Sequence, residues 1–179
     1  MHRTLLRLAI ALLVLAPAAA SAHPGHDDGG LVHGFMHPLG GADHIIAMVA
    51  VGITAARLGG RALWLVPTSF VAAMMVSGLA ASSGVTLPYM ETGIAVSVVV
   101  LAAVALFGVA MPVAGAMGLV AFFAVFHGYA HGLEVPETAS GLAFGAGFVA
   151  ATAVLHAVGI VVGLFIVQAD PSKVIASRR

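Results

Sequence analysis

Two short stretches of this chain carry nearly all of its potential chemistry. His37-Pro38-Leu39-Gly40-Gly41-Ala42-Asp43-His44 sets two imidazoles and a carboxylate where an apolar run begins, and Phe126-His127-Gly128-Tyr129-Ala130-His131-Gly132-Leu133-Glu134 sets two more imidazoles and a carboxylate where a later apolar run ends. Ionisable groups in or beside hydrocarbon are expensive and mark a pathway or a site. Imidazole and carboxylate together are ligands for a divalent first-row metal ion, and the chain has no cysteine to add a thiolate. Disulfides and iron–sulfur clusters are thereby excluded. An all-nitrogen-and-oxygen donor set suits Ni²⁺, Co²⁺ or Zn²⁺ and argues against Cu(I).

The spacing says how the donors are presented. His127 and His131 are one helical turn apart and share a face, a standard way for a helix to offer two nitrogens to one ion. Gly128 and Gly132 leave room beside those rings for a neighbouring helix or for the ion. Asp43 and His44 are adjacent, so on a helix their side chains diverge. Pro38 and Gly40-Gly41 make a turn before the helix as compatible with the sequence as a continuous helix through His37. In either case Asp43 opens a helix, where the macrodipole favours a carboxylate. It either ligates the ion or holds a ligand ring through its N–H, and the spacing allows both. His156 falls in the middle of the last apolar run, as a deeper ligand or as a polar packing residue.

The elements that must position these groups are membrane helices. Of 179 residues, 61% are hydrophobic and 8% charged, with a mean hydropathy of +1.10, against about a quarter charged in a soluble domain. The net charge is zero, and no basic run suggests nucleic acid. Apolar runs at about 41–58, 62–82, about 89–108, 112–131 and about 140–168 are each near or above the ~20 residues that span a bilayer. In lipid the backbone must satisfy itself, which leaves helices as the assignment. The last run is long enough to require tilt or protrusion. Gly141 with Gly145, Gly159 with Gly163 and Gly128 with Gly132 read as points of close helix approach.

Residues 1–22 read as a cleaved signal peptide: Arg3 and Arg7, a short apolar stretch, then Ala20-Ser21-Ala22. Residues 23–33 form a polar arm in which His23 and His26, with Asp27 and Asp28, are candidate metal collectors. Arg57 and Arg61 mark one loop and Lys173, Arg178 and Arg179 the tail at 170–179, whereas Glu91, Glu134 and Glu137 lie on the other side. The positive-inside rule then makes the loop and tail cytoplasmic and the N-terminus external. The expected fold is an all-α integral membrane protein: a bundle of five transmembrane helices over 34–169, N-terminus outside and C-terminus inside.

The paired motifs, His37-Pro38-x-x-Gly41-x-Asp43-His44 and Phe126-His127-Gly128-x-Ala130-His131-Gly132-x-Glu134, with a His in the last helix, resemble the HupE/UreJ family of nickel or cobalt permeases. The resemblance runs from the signal peptide to the last helix. It implies uptake of nickel, with cobalt as a second substrate, across the bacterial inner membrane, with His37, Asp43, His44, His127, His131 and Glu134 as functional positions. It also implies an indirect link to hydrogenase or urease metallation, and an ion that is cargo rather than a permanently bound cofactor. Two other readings of the same residues are an intramembrane metal-dependent hydrolase with Glu134 as general base, and a bis-histidine haem protein.

Overall fold

The structure, a computed structural model, describes residues 30–135 and 140–169. The signal peptide, His23, His26, Glu137 and the basic tail lie outside these residues. Every element among the described residues is helical: α1 (Leu31–Met36), a 3-10 turn (His37–Leu39), α2 (Ala42–Leu58), α3 (Ala62–Ser82), α4 (Met90–Phe107), α5 (Val113–Gly132) and α6 (Ser140–Ala169). The boundaries follow local chemistry. Gly59 and Gly108 end α2 and α4 at φ of 67° and 65°, the left-handed conformation that an L side chain resists. Pro112, with no N–H to satisfy, stands immediately before α5.

Helices α3 to α6 are each long and apolar enough to cross a bilayer. The first of the five expected spans differs from them. Helix α2 has 17 residues, and it reaches spanning length only together with α1 and the 3-10 turn, from which it is bent by 84°. Pro38 and Gly40-Gly41 cause the break. Helix α1 also begins at Leu31, so residues 31–33 form its first turn rather than the end of the polar arm. At the other extreme, α6 has 30 residues, a rise of about 45 Å against a hydrocarbon core of ~30 Å.

Lipid is as apolar as a protein interior, so the helices associate through close contact rather than by hiding hydrophobic faces. Phe107, Phe122 and Phe165 are exposed and face the apolar surroundings such a bundle requires. Glycine makes the approaches. A Cβ at Gly128 would collide with the Met74 carbonyl and one at Gly132 with the Gly78 carbonyl, so α3 and α5 run parallel in direct backbone contact. Gly159 meets Val49, and Gly163 meets Ile53 and Ala56. This brings α2 and α6 parallel and side by side. Ser77 Oγ donates to the Val125 carbonyl at 2.5 Å and ties α3 to α5. The expected approach through Gly141 and Gly145 is different: a Cβ at Gly145 meets nothing within 4 Å, and Gly147 instead seats α1 on α6.

Arg57 also departs from its expected place in a loop. It lies in the last turn of α2, is buried at 5% exposure, and its guanidinium donates to the carbonyls of Ala105 at 2.6 Å and Leu106 at 3.2 Å. A charged donor thus satisfies carbonyls that the end of α4 leaves open. Gly108 permits this, because a Cβ there would strike the guanidinium.

Two substitutions separate close approach from mere composition. Gly128→Ala should lower stability by about 1–3 kcal/mol by forcing α5 off α3. Gly145→Ala should be neutral or raise it by up to about 1 kcal/mol through helix propensity alone. Thermal unfolding in detergent micelles measures both, and equal effects at the two positions would contradict the packing described.

Candidate metal centre

The broken first span places the first motif. Because the 3-10 turn lies between α1 and α2, His37 is held over the mouth of the bundle while Asp43 and His44 occupy the first turn of α2. The second motif arrives on the last two turns of α5. Gly128 and Gly132 turn toward α3, which rotates His127 and His131 toward α2, α4 and α6. All six residues expected at the site converge there.

Each ring is oriented by an acceptor on its outer nitrogen. His44 Nδ1–H donates to Asp43 Oδ1 at 3.0 Å, so the adjacent side chains do not diverge: the carboxylate curls back onto its neighbour. Gly41 makes the space, since a Cβ there would lie 2.6 Å from Asp43 Oδ1 and 3.0 Å from His44 Nδ1. His131 Nδ1–H donates to Glu134 Oε2 at 3.1 Å, and His37 Nε2–H donates to the same oxygen at 2.9 Å. Ser97 Oγ on α4 already donates its proton to the Ile94 carbonyl at 2.6 Å. It therefore accepts from His127 Nε2–H at 2.7 Å.

Those bonds fix the tautomers. They leave lone pairs on His44 Nε2, His127 Nδ1 and His131 Nε2, and these atoms face one another. His44 Nε2 lies 3.2 Å from His127 Nδ1 and also touches His131 Nε2. The His44–His127 separation lies in the range of about 3.0–3.4 Å that two nitrogens adopt when each is ~2.1 Å from a common ion in octahedral or tetrahedral geometry. Farther out, His37, His131 and Glu134 form a second group whose ligand atoms lie within 4.8 Å of one another. His131 belongs to both.

Exposure falls from the outer group to the inner. The Glu134 and His37 side chains are 54% and 29% exposed, whereas His44, His131 and His127 are 7%, 8% and 0% exposed as residues. Hydrogen bonds from His131 and then His37 hold the Glu134 carboxyl well below the usual carboxylate range, outweighing the desolvation that opposes them. It stays an anion through any ordinary pH. Phe148 lines the site with its ring centroid 4.3 Å from that of His131 and 6.4 Å from that of His44.

Ser97 is the site residue that sequence reasoning missed. Its only signal is a hydroxyl within an apolar run, which many membrane helices carry for local backbone bonding. His156 is not brought into the cluster. It lies deeper, edge-on to Phe70, with centroids 5.2 Å apart, and Phe70 in turn is tilted against His127 at 6.0 Å. His23 and His26 fall outside the described residues.

The Ser97 contact can be tested directly. Ser97→Ala removes the acceptor that sets the His127 tautomer, so affinity for cobalt(II) should fall about 10–100-fold with little change in stability. Titration calorimetry of the purified protein reads the first quantity and thermal unfolding the second; unchanged affinity would remove Ser97 from the site.

Comparison with known proteins bears on the whole chain. The family described as HupE / UreJ protein matches residues 10–178. Protein HupE of Rhizobium leguminosarum bv. viciae is 44% identical over 144 residues, covering 80% of this chain and 75% of that protein. No solved structure matches. The match extends across both histidine motifs and all the membrane helices that carry them, and the chain belongs to the HupE/UreJ family.

Proposed function

We propose that this protein carries a divalent transition metal ion, nickel(II) first and cobalt(II) second, inward across the bacterial inner membrane. The supporting observation is the convergence of His44 Nε2, His127 Nδ1 and His131 Nε2, which the acceptors Asp43, Ser97 and Glu134 on the opposite ring nitrogens assign as lone pairs. A buried acceptor left without a donor costs about 1–3 kcal/mol, and here several are gathered at one point. A cation among them reverses the sign of that interaction. A single proton joins only one pair of nitrogens, whereas a metal ion engages all three. Asp43 and Glu134 add two negative charges around the rings, which matches a doubly charged ion.

The order of events follows exposure. The hydrated ion is captured by the Glu134 carboxylate beside His37, where water still reaches. His131 keeps its Nδ1–H on Glu134 and presents its Nε2 lone pair to the inner group, so the ion passes from the carboxylate to the lone pairs of His131, His44 and His127 one ligand at a time. Asp43 acts on His44 rather than on the ion: its Oδ1 holds Nδ1–H and keeps Nε2 free to ligate. The ion is cargo, and no group is assigned a catalytic role. Glu134, the base a hydrolase would use, is an acceptor for two imidazoles and is better placed to gather an ion than to activate water.

The direction rests on topology. Parallel α2 and α6 put Arg57, Arg61 and the C-terminal end of α6 at the same end of the bundle, opposite the site, and the positive-inside rule makes that end cytoplasmic. Signal cleavage after Ala22 then leaves His23 and His26 on the external side as an ion-collecting arm. Delivery to the cytoplasm suits the metallation of hydrogenase or urease.

Accumulation of radioactive nickel in cells lacking other importers tests the proposal. His44→Ala and His131→Ala should each reduce uptake about tenfold or more at equal protein level, and unchanged uptake in both would overturn it. Competition by unlabelled cobalt measures the second specificity.

Acidification provides an independent check. The ligating imidazole is the neutral form, so protons compete with the ion as pH falls, while Glu134 remains ionised. Uptake should be steady near neutrality and weaken in acid, and the acid limb should move to lower pH as nickel concentration rises. An acid limb that does not respond to nickel concentration, with the pH gradient dissipated, would count against a histidine-borne site.

A further inference from the structure

Beneath the inner histidines the bundle holds one more imidazole, in an environment that gives it nothing to bond. His156 is 2% exposed, and neither Nδ1 nor Nε2 has a hydrogen-bond partner among the described residues. Every other buried histidine is held by at least one named acceptor. A ring that only packed would be better replaced by leucine or phenylalanine, because an unpaired polar group in a membrane interior costs several kcal/mol.

The surroundings indicate what the ring faces. Phe70 contacts both His127 and His156, with ring centroids 6.0 Å and 5.2 Å from theirs. Along α6, His156 lies two turns beyond Phe148, a rise of about 12 Å away from the mouth. The ring also borders a groove of about 280 Å³ between α3 and α6, lined among others by Trp64, Pro67, Val71, Val149 and Ala153 and open at the bundle surface. Pro67 lies inside α3 and lacks the N–H that would satisfy the Leu63 carbonyl. Leu63 and Pro67 line the same groove as the unpartnered imidazole.

We propose that His156 is a second ion-binding station, separated from the His44–His127–His131 site by the ring of Phe70. This rests on the transport reading above and extends it from capture to passage. Phe70 acts as the barrier: it lies against both stations, and displacement of this one ring joins them. Neutral His156 ligates a transition metal ion through one nitrogen, a single weak bond suited to release, whereas the outer site holds its ion with several.

The test separates capture from passage. Full-length protein, wild type and His156→Leu, is reconstituted into vesicles, and nickel(II) uptake is measured beside equilibrium nickel(II) binding in detergent. In His156→Leu, uptake should fall at least about tenfold while affinity at the mouth stays within about twofold. A residue that only packs would leave uptake intact, and one that merely supports the fold would depress binding and uptake together; either result overturns the inference. Should His156→Leu not assemble, His156→Gln, which keeps a polar group but ligates poorly, is read by the same two measurements. Wild-type vesicles that take up nickel no faster than empty ones overturn the transport reading and this inference with it. Normal wild-type uptake with undiminished His156→Leu uptake overturns this inference alone.

Discussion

Three ring nitrogens that all lack protons do not share a small space without a reason, and much of the structure serves to hold them there. Each imidazole is fixed from behind: His44 by Asp43, His131 by Glu134 and His127 by Ser97. If any of these acceptors were a donor, its ring would flip tautomer and turn an N–H into the cluster. The acceptors come from different places in the chain: a helix start, a helix end and the side of a third helix. The orientation of the three rings is therefore inseparable from the relative placement of α2, α4 and α5.

That placement depends on helices that touch at the backbone. In lipid, burying apolar surface offers little gain, so the contacts must be close to count. Gly128 and Gly132 bring α5 onto α3, and the same two residues determine which way the neighbouring histidines face. Glycine spacing and histidine spacing are thus one feature: the small residues bind the helix on one side, so the ligands emerge about a quarter-turn away. Arg57 does related work at the far end, where its guanidinium joins α2 to the open carbonyls of α4. A charge that composition alone assigns to a loop serves as a buried fastener because a helix end offers the acceptors it needs.

Much of this was legible from one sequence. The helices begin and end within a residue or two of the apolar runs, because length, proline and glycine suffice when lipid permits only helices. His127 and His131 were readable as a pair from their spacing. Three things were not. The 84° bend before α2 depends on how α1 packs against α6, and the motif Pro38–Gly41 was equally compatible with a turn or a distorted helix. The contact between Asp43 and His44 runs against the divergence expected of adjacent helical residues; it exists because the first helical turn is open and Gly41 leaves space. Ser97 carried no signal, since its role depends on its proton already being committed to Ile94.

The gradient of burial from Glu134 to His127 also bears on how an ion loses its water. Stripping a divalent ion in one step is prohibitive, because charge transfer into a low-dielectric interior costs far more than any single ligand returns. A graded path divides that cost. On the proposed route the ion would keep much of its hydration at Glu134 and His37 and gain a carboxylate. It would then exchange water for the lone pair of His131, whose other nitrogen stays bonded to Glu134. Between His44 and His127 it would be enclosed, with nitrogen replacing water in the dry part of the bundle. The hydrogen bond from His131 to Glu134 ties the capturing carboxylate to the first inner ligand, so the ion would meet its next donor before leaving the last.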